Sequence, residues 1–280
     1  MELIKSPMNY VGGKYKLLNQ ILPLFPNDID TFVDLFGVGL DVSINIKANK
    51  IITNDIITPL VELYKYWQVT PTDEVISNIE NTIFKYSLSK ENLDGYLELR
   101  DDYNNSKDVK LLFPMIAHCY NNQIRFNSKW GFNRHFGKGR SSFNNVMREN
   151  LIGCLEVLHN KNIKFINKDV LKINVESLNN NHFVYCDPPY LITYADYSIQ
   201  ASWNEDKEIK LLNILDNLNS KGVRFALSNV IEHNGKTNEI LKEWSKKYKI
   251  NYLNFNYNNS NADKKIKNTG NSLEVLITNY

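Results

Sequence analysis

The sequence predicts an α/β protein: a wound sheet assembled from both ends of a 280-residue chain and interrupted by an inserted, mostly helical subdomain. Three observations predict it. Short apolar runs end in glycine or Asx turns and alternate with helical stretches; between about Pro71 and His159 the pattern changes to charged helical segments followed by turns; strand signals then resume. The length fits one such domain plus an insert.

Taken in order, Thr31 to Phe36 reads as a strand ending in Gly37-Val38-Gly39, and Lys50 to Thr53 as a second ending in Asn54-Asp55. Leu40 to Asn49 is the expected crossover helix between them, and Val61 to Trp67 continues as a helix. Glu91 to Tyr103 is a charged helical segment, followed by the turn-rich stretch Asn121 to Asn145. Strands are expected again at Asn162 to Ile166, His182 to Cys186, Val223 to Ser228 and Leu273 to Thr278, with amphipathic helices at Asn204 to Asn219 and Thr237 to Lys247. The resulting division is 1–66 with 160–280 as the main domain and 67–159 as the insert. Only Asn254 to Asn271 approaches low complexity, and no internal repeat is visible.

Composition narrows the setting rather than the function. A formal net charge of +2 is too small to argue for a polyanionic partner, so any nucleic-acid reading must rest on local charge. Cys119, Cys154 and Cys186 form no close-spaced pair, which speaks against a disulfide framework and against a Cys-x-x-Cys zinc site. His118, His135, His159, His182 and His233 show no metal-ligand spacing, so no metal is expected. With no long apolar run and an N-terminus punctuated by Lys5, Pro7, Gly12, Gly13 and Lys14, a cytoplasmic protein that crosses no membrane is expected.

Asp187-Pro188-Pro189-Tyr190 directly follows the strand His182 to Cys186, at the carboxyl end where open α/β sheets place their ligands. The second proline keeps Pro188 out of helical geometry, and neither proline has an N–H, so the turn is rigid and the Pro188 carbonyl is available as an acceptor. This suits a planar aromatic amine. Such an amine is a poor nucleophile while its lone pair is delocalised, and holding its two N–H bonds on Asp187 and the Pro188 carbonyl favours tetrahedral nitrogen. Asp187 also stabilises positive charge arriving there, and Tyr190 offers a face for a base to stack on. Cys186 adjoins the motif but ends an apolar strand without a paired base, and reads as packing. Tyr194, Asp196, Tyr197 and Trp203 follow in a loop that either clamps substrate or packs.

Phe32 to Gly39 places Asp34 on a strand, with Phe36, Gly37 and Gly39 at the turn where backbone can approach a ligand. The spacing is not the dinucleotide Gly-x-Gly-x-x-Gly, because position 42 is Val. Asp55, about twenty residues on, stands where nucleoside-binding folds put a carboxylate for the ribose hydroxyls, and the bland alternative is a helix cap. Tyr10-Val11-Gly12-Gly13-Lys14 is a glycine turn ending in a cation suited to a ligand carboxylate, with Tyr10 as a stacking surface. Asp169 can accept from an adenine amino group or merely cap a turn.

Together these segments resemble the Dam-type, alpha-group DNA adenine methyltransferases of bacteria and T-even phages, over nearly the whole chain. Phe32 to Asn45 and Asn54 to Lys65 resemble the cofactor half, Phe183 to Tyr197 the catalytic strand and loop, and Gly222 to Lys247 the segment after it. The resemblance implies a Rossmann-like sheet that uses S-adenosylmethionine to methylate adenine N6 in double-stranded DNA, as a monomer or weak dimer on DNA. It implies Tyr10, Lys14, Asp55 and Asp187 as cofactor contacts and Asp187 to Tyr190 as the catalytic positions.

Between Tyr120 and Arg148 lie Arg125, Lys129, Arg134, Lys138, Arg140 and Arg148 with no Asp or Glu, interleaved with Phe126, Trp130, Phe132, Phe136 and Phe143. Basic residues can meet phosphates and base edges, and the aromatics can stack, wedge or form a local core. The segment resembles the recognition segment of the Dam family, which implies DNA contacts from Arg125, Asn127, Asn133, His135, Lys138 and Arg140, a guanine read by arginine, and GATC as target. Two rival readings remain: an RNA or protein-glutamine methyltransferase, and a non-catalytic DNA-binding module.

Overall fold

The computed structural model describes residues 3–193, 203–254 and 272–280. Its centre is one eight-stranded sheet: β1 Thr31–Asp34, β2 Lys50–Asn54, β3 Ile163–Ile166, β4 His182–Cys186, β5 Arg224–His233, β6 Lys236–Thr237, β7 Lys249–Leu253 and β8 Leu273–Thr278. The order is β3-β2-β1-β4-β5-β8-β7, with β6 hairpinned on β5. Strands β3, β2, β1, β4 and β5 pair in parallel, and β8 lies antiparallel between β5 and β7. The chain winds outward in one direction through β2 and β3 and in the other through β4 and β5, so a crevice opens between β1 and β4 at their carboxyl ends.

Side chains alternate across this sheet as period two demands. Phe32, Phe183, Tyr185, Ala226 and Leu276 face one apolar cluster, while Val33, Val184, Cys186, Phe225, Leu227, Val275 and Ile277 face the other. The second face is covered by α8 Glu205–Ser220 and α9 Glu239–Ser245, through Leu211, Leu215, Leu218, Leu241 and Trp244. Asn204 starts α8 by accepting from Lys207 N at 3.0 Å. The first face takes α1 Leu18–Ile21, α2 Asp41–Asn45 and α3 Thr58–Val69, and then α4 Thr72–Lys85, α5 Leu93–Ser106, α6 Val109–His118 and α7 Asn145–Asn160.

The boundary between residues 66 and 67 falls inside α3, and the helices after it share a continuous apolar cluster with the sheet. Trp67 packs edge-on against Phe113 of α6 with ring centroids 5.1 Å apart. The expected crossover helix Leu40 to Asn49 is cut to α2, because Leu40 is left-handed (φ 60°) and Ile46 extended. Lys161 Nζ donates to the carbonyls of Ile44 and Ile46 at 2.8 and 2.9 Å, satisfying that end. The expected low-complexity stretch lies almost wholly outside the described residues, as do Tyr194, Asp196 and Tyr197. All three cysteines are buried and free, and burial pushes the Cys186 thiol well up, which keeps it an inert part of the core. Among the described residues, no helix is long and apolar enough to cross a membrane, and no three His, Cys, Asp or Glu gather in a way that could hold a metal ion.

Candidate active site

The carboxyl ends of β1, β2, β3 and β4 open into one cavity of about 210 Å³. Tyr10, Lys14, Asp34, Phe36, Gly37, Gly39, Asp55, Asp169, Asp187, Pro188, Pro189 and Tyr190 all line it, although they come from five stretches of sequence. Parallel register explains the convergence: Asp34 pairs with Thr53 on one side and Tyr185 on the other, so the residues just past each strand meet at one level.

The floor is a row of buried carboxylates. Asp34 accepts from Ser43 Oγ at 2.8 Å and from Phe36 N at 3.3 Å, and Ser43 Oγ in turn accepts from Thr53 Oγ1 at 3.0 Å. Burial lifts Asp34 to about 7, against the pull of those bonds, with Asp187 and Asp55 adding to the rise. Gly37 is needed beside it: a Cβ there would stand 2.2 Å from Thr53 Cγ2 and 3.1 Å from Asp34 Cγ. Gly39, by contrast, would carry its Cβ into open space on a cavity-lining residue. Asp55 accepts from Ile57 N at 2.9 Å and Val38 N at 3.3 Å, and burial raises it to about 6. The structure gives α3 no side-chain cap, its N-cap being Ile57; Asp55 instead holds the turn that leads into the helix, and it lines the cavity. Asp169 accepts from Leu171 N at 3.0 Å as a turn cap, also at the cavity wall.

Lys14 is buried, and the structure gives it an internal partner where the sequence suggested a cation open to a ligand. Its Nζ lies 2.8 Å from Asp187 Oδ2 and donates to Gly12 O at 2.8 Å. Burial alone would lower Lys14, but the carboxylates of Asp187 and Glu274 outweigh it and hold the ammonium charged. Asp187 Oδ1 accepts from Tyr190 Oη at 3.0 Å; burial raises the Asp187 carboxyl, while Lys14 and Tyr190 pull it back. Lys14 also sits 5.1 Å from the Tyr190 ring centroid, so one face of that ring already meets a cation.

Three contributors, Asp41, Asn54 and Glu274, escaped sequence reasoning as site residues, and a fourth, Trp203, was expected only either to clamp substrate or to pack. Asp41, lifted to about 6 by burial, accepts from Ser6 N and Tyr15 N, both at 3.2 Å, and so pins the Tyr10–Lys14 turn over the cavity. Asn54 bridges the carbonyls of Leu35 and Lys168 at 3.1 and 3.0 Å, tying three strand ends together. Trp203 packs edge-on against Phe36 with centroids 5.8 Å apart, and its Nε1 donates to buried Glu208 at 2.7 Å. Glu274 on β8 accepts from Tyr190 Oη at 3.2 Å. Glu274 alone had a legible signal, an acid inside the otherwise apolar run Leu273 to Thr278.

The basic segment stands apart, and none of Arg125, Asn127, Asn133, His135, Lys138 and Arg140 lines the cavity. His135, Lys138 and Arg140 are exposed, and Arg140 lies 4.9 Å from the Tyr120 ring centroid. Asn127 Oδ1 accepts from Lys129 N and Gly131 N at 2.9 and 2.8 Å, so this side chain shapes a turn. Among the described residues, the buried Nε of Arg125, Nε of Arg134 and Oδ1 of Asn133 have no hydrogen-bond partner. Of the alternatives open for the aromatics, packing is what the structure shows: Phe126 and Phe132 are buried, and Trp130, Phe136 and Phe143, partly buried, pack against the main core. Their apolar area is better hidden than presented to solvent.

Residues 10–259 match the family described as D12 class N6 adenine-specific DNA methyltransferase. The chain belongs to this family. It is 50% identical over 281 residues to the type II methyltransferase M.FokI of Planomicrobium okeanokoites, and 47% identical over 283 residues to the modification methylase StsI of Streptococcus sanguinis. Each alignment covers 99% of this chain but 43% of the relative, so the chain spans less than half the length of these two proteins. The DNA adenine methylase of Serratia marcescens is 28% identical over 194 residues, 68% of each chain. Membership is therefore in the broader family; the relatives at higher identity are restriction-modification methylases rather than Dam enzymes.

Proposed function

We propose that this chain transfers a methyl group from S-adenosylmethionine to the N6 amino group of an adenine in duplex DNA. The observation that carries the proposal is the shared cavity, in which the Asp187 turn, the Asp55 carboxylate and the Gly37–Gly39 turn meet within a member of an adenine-methylating family. The cavity's donor set fits the cofactor: carboxylates suit a sulfonium and ribose hydroxyls, and open space at Gly39 leaves room beside backbone. Bound there, S-adenosylmethionine would supply an electrophilic methyl group.

This chain's own residues do the rest. Asp55, ionised at neutral pH, accepts ribose hydroxyls while Val38 N and Ile57 N keep it oriented. Asp187 and the Pro188 carbonyl hold the two amino protons; each Asp187 oxygen has two lone pairs and so retains a site beyond its bond to Lys14 or Tyr190. The target base leaves the duplex to reach this turn, at a cost of a few kcal/mol that contacts elsewhere must offset. The region 67–159 supplies them as the DNA-recognition unit of a cytoplasmic protein that works as a monomer or weak dimer on DNA. Arg125, Asn133, His135, Lys138 and Arg140 face DNA, with Asn127 holding their turn. The unpaired Nε of Arg125 supports a base or phosphate contact there. GATC is the target that the Dam likeness implies for this segment.

Labelled methyl transfer tests the activity. Label in duplex DNA, lost in Asp187→Ala with fold and DNA binding retained, supports it; label confined to RNA or protein defeats it.

A further inference from the structure

An acceptor carboxylate stabilises positive charge on an amine only as far as its own charge is uncompensated. At Asp187 that charge is largely cancelled, because Lys14 Nζ lies 2.8 Å away and Gly12 O holds the ammonium in place. A third group alters the balance. Glu274, only 3% exposed in β8, has its Oε1 3.9 Å from Lys14 Nζ and accepts from Tyr190 Oη, the hydroxyl that also reaches Asp187 Oδ1. Two carboxylates thus share one ammonium and one phenol. Burying a second acid in an apolar strand is costly unless it is paired, and Lys14 is a charged partner that it shares with Asp187.

We propose that Glu274 is a positioning residue for methyl transfer: through Lys14 and Tyr190 it leaves the Lys14–Asp187–Glu274 group with one net negative charge beside the accepting nitrogen. This rests on the function proposed above. In that reaction the N6 lone pair forms the new N–C bond as the C–S bond breaks, its electron pair remaining on sulfur. One positive charge passes to nitrogen, and an N–H proton then leaves to solvent. A neutral Lys14–Asp187 pair would face that nitrogen as a dipole, whereas the three-group cluster faces it as an anion, whose field falls off more slowly and acts in a partly desolvated cavity. The sharing also loosens the hold of Lys14 on Asp187, whose oxygens must accept an N–H.

Glu274→Gln separates charge from shape, because the amide oxygen still accepts from Tyr190. With the full chain, duplex DNA and S-adenosylmethionine, Glu274→Gln is expected to lower kcat about tenfold or more with KM for the cofactor within about twofold, and Glu274→Asp to recover part of the loss. A second readout needs no turnover: NMR titration of the Lys14 ammonium in the ligand-free protein, where Glu274→Gln lowers its pKa by about one unit. Circular dichroism and melting establish that each variant folds. Wild-type kcat and an unmoved Lys14 pKa in Glu274→Gln overturn the proposal, as do equal kcat losses in Gln and Asp variants without a Lys14 shift. If the wild-type chain methylates no duplex DNA, the functional reading fails, and the Lys14 titration still decides whether the two charges are coupled.

Discussion

Asp55 carries a conflict between stability and function. Its carboxyl titrates near 6 in the folded chain, as does that of Asp41, and that of Asp34 near 7, all raised by burial from ordinary values near 4. The folded state therefore binds protons more tightly than the unfolded one between about pH 4 and 7, so these groups cost stability as pH rises through that window. Melting of the ligand-free protein should show a downward contribution from pH 5 to 7.5, on the order of 2 kcal/mol from Asp34 alone. Flattening of the slope in Asp34→Asn is the check. Cofactor binding should run the opposite way: affinity falls as pH drops below about 6, where Asp55 takes up its proton and stops accepting two hydroxyl hydrogens. Calorimetric titration of cofactor at pH 5, 6 and 7.5 measures this, and a flat profile would remove Asp55 from the ribose role. Gly37→Ala should cost about 1 to 3 kcal/mol, since its Cβ would press on Thr53 and on the Asp34 carboxyl at once. A melting curve matching wild type would contradict that packing.

Strand ends were the most legible elements, and their legibility has a physical cause. A short apolar run that stops at Asp or Gly marks where a buried strand emerges, so β1, β2 and β4 and the residues just beyond them announced the cavity. Strand β7 did not, because Lys249–Leu253 lies at the sheet edge, where burial follows no alternation and Lys249 and Asn251 interrupt the apolar residues. Asp41 and Asn54 were illegible for another reason: their work is to hold backbone far away in sequence, which no local pattern records. In the basic segment, charge was visible but aromatic fate was not, since a Phe destined for the core reads the same as one meant for a base. There, Arg125→Ala should weaken discrimination at one guanine by about 1 to 3 kcal/mol, measured as binding to single-base variants of the site. Equal losses on every sequence would make it a phosphate contact.

The molecule as a whole couples these elements through shared apolar packing. Helices α4 to α7 bury Val75, Leu99, Phe113 and Leu155 in the same cluster as Phe32 and Phe183 of the sheet. A fragment covering 67–159 should therefore unfold without a cooperative transition, and a sharp calorimetric melt would show that it holds a core of its own. The same packing joins the segment proposed to grip DNA to the sheet that carries the cavity about Asp187. The central claim is site-specific methylation of adenine N6 in duplex DNA, and one measurement tests it most directly: single-molecule sequencing of unmodified DNA incubated with the protein and S-adenosylmethionine. The account predicts N6-methyladenine at one short recurring sequence, absent with Asp187→Ala. DNA left unmodified, or modified at cytosine, would contradict it.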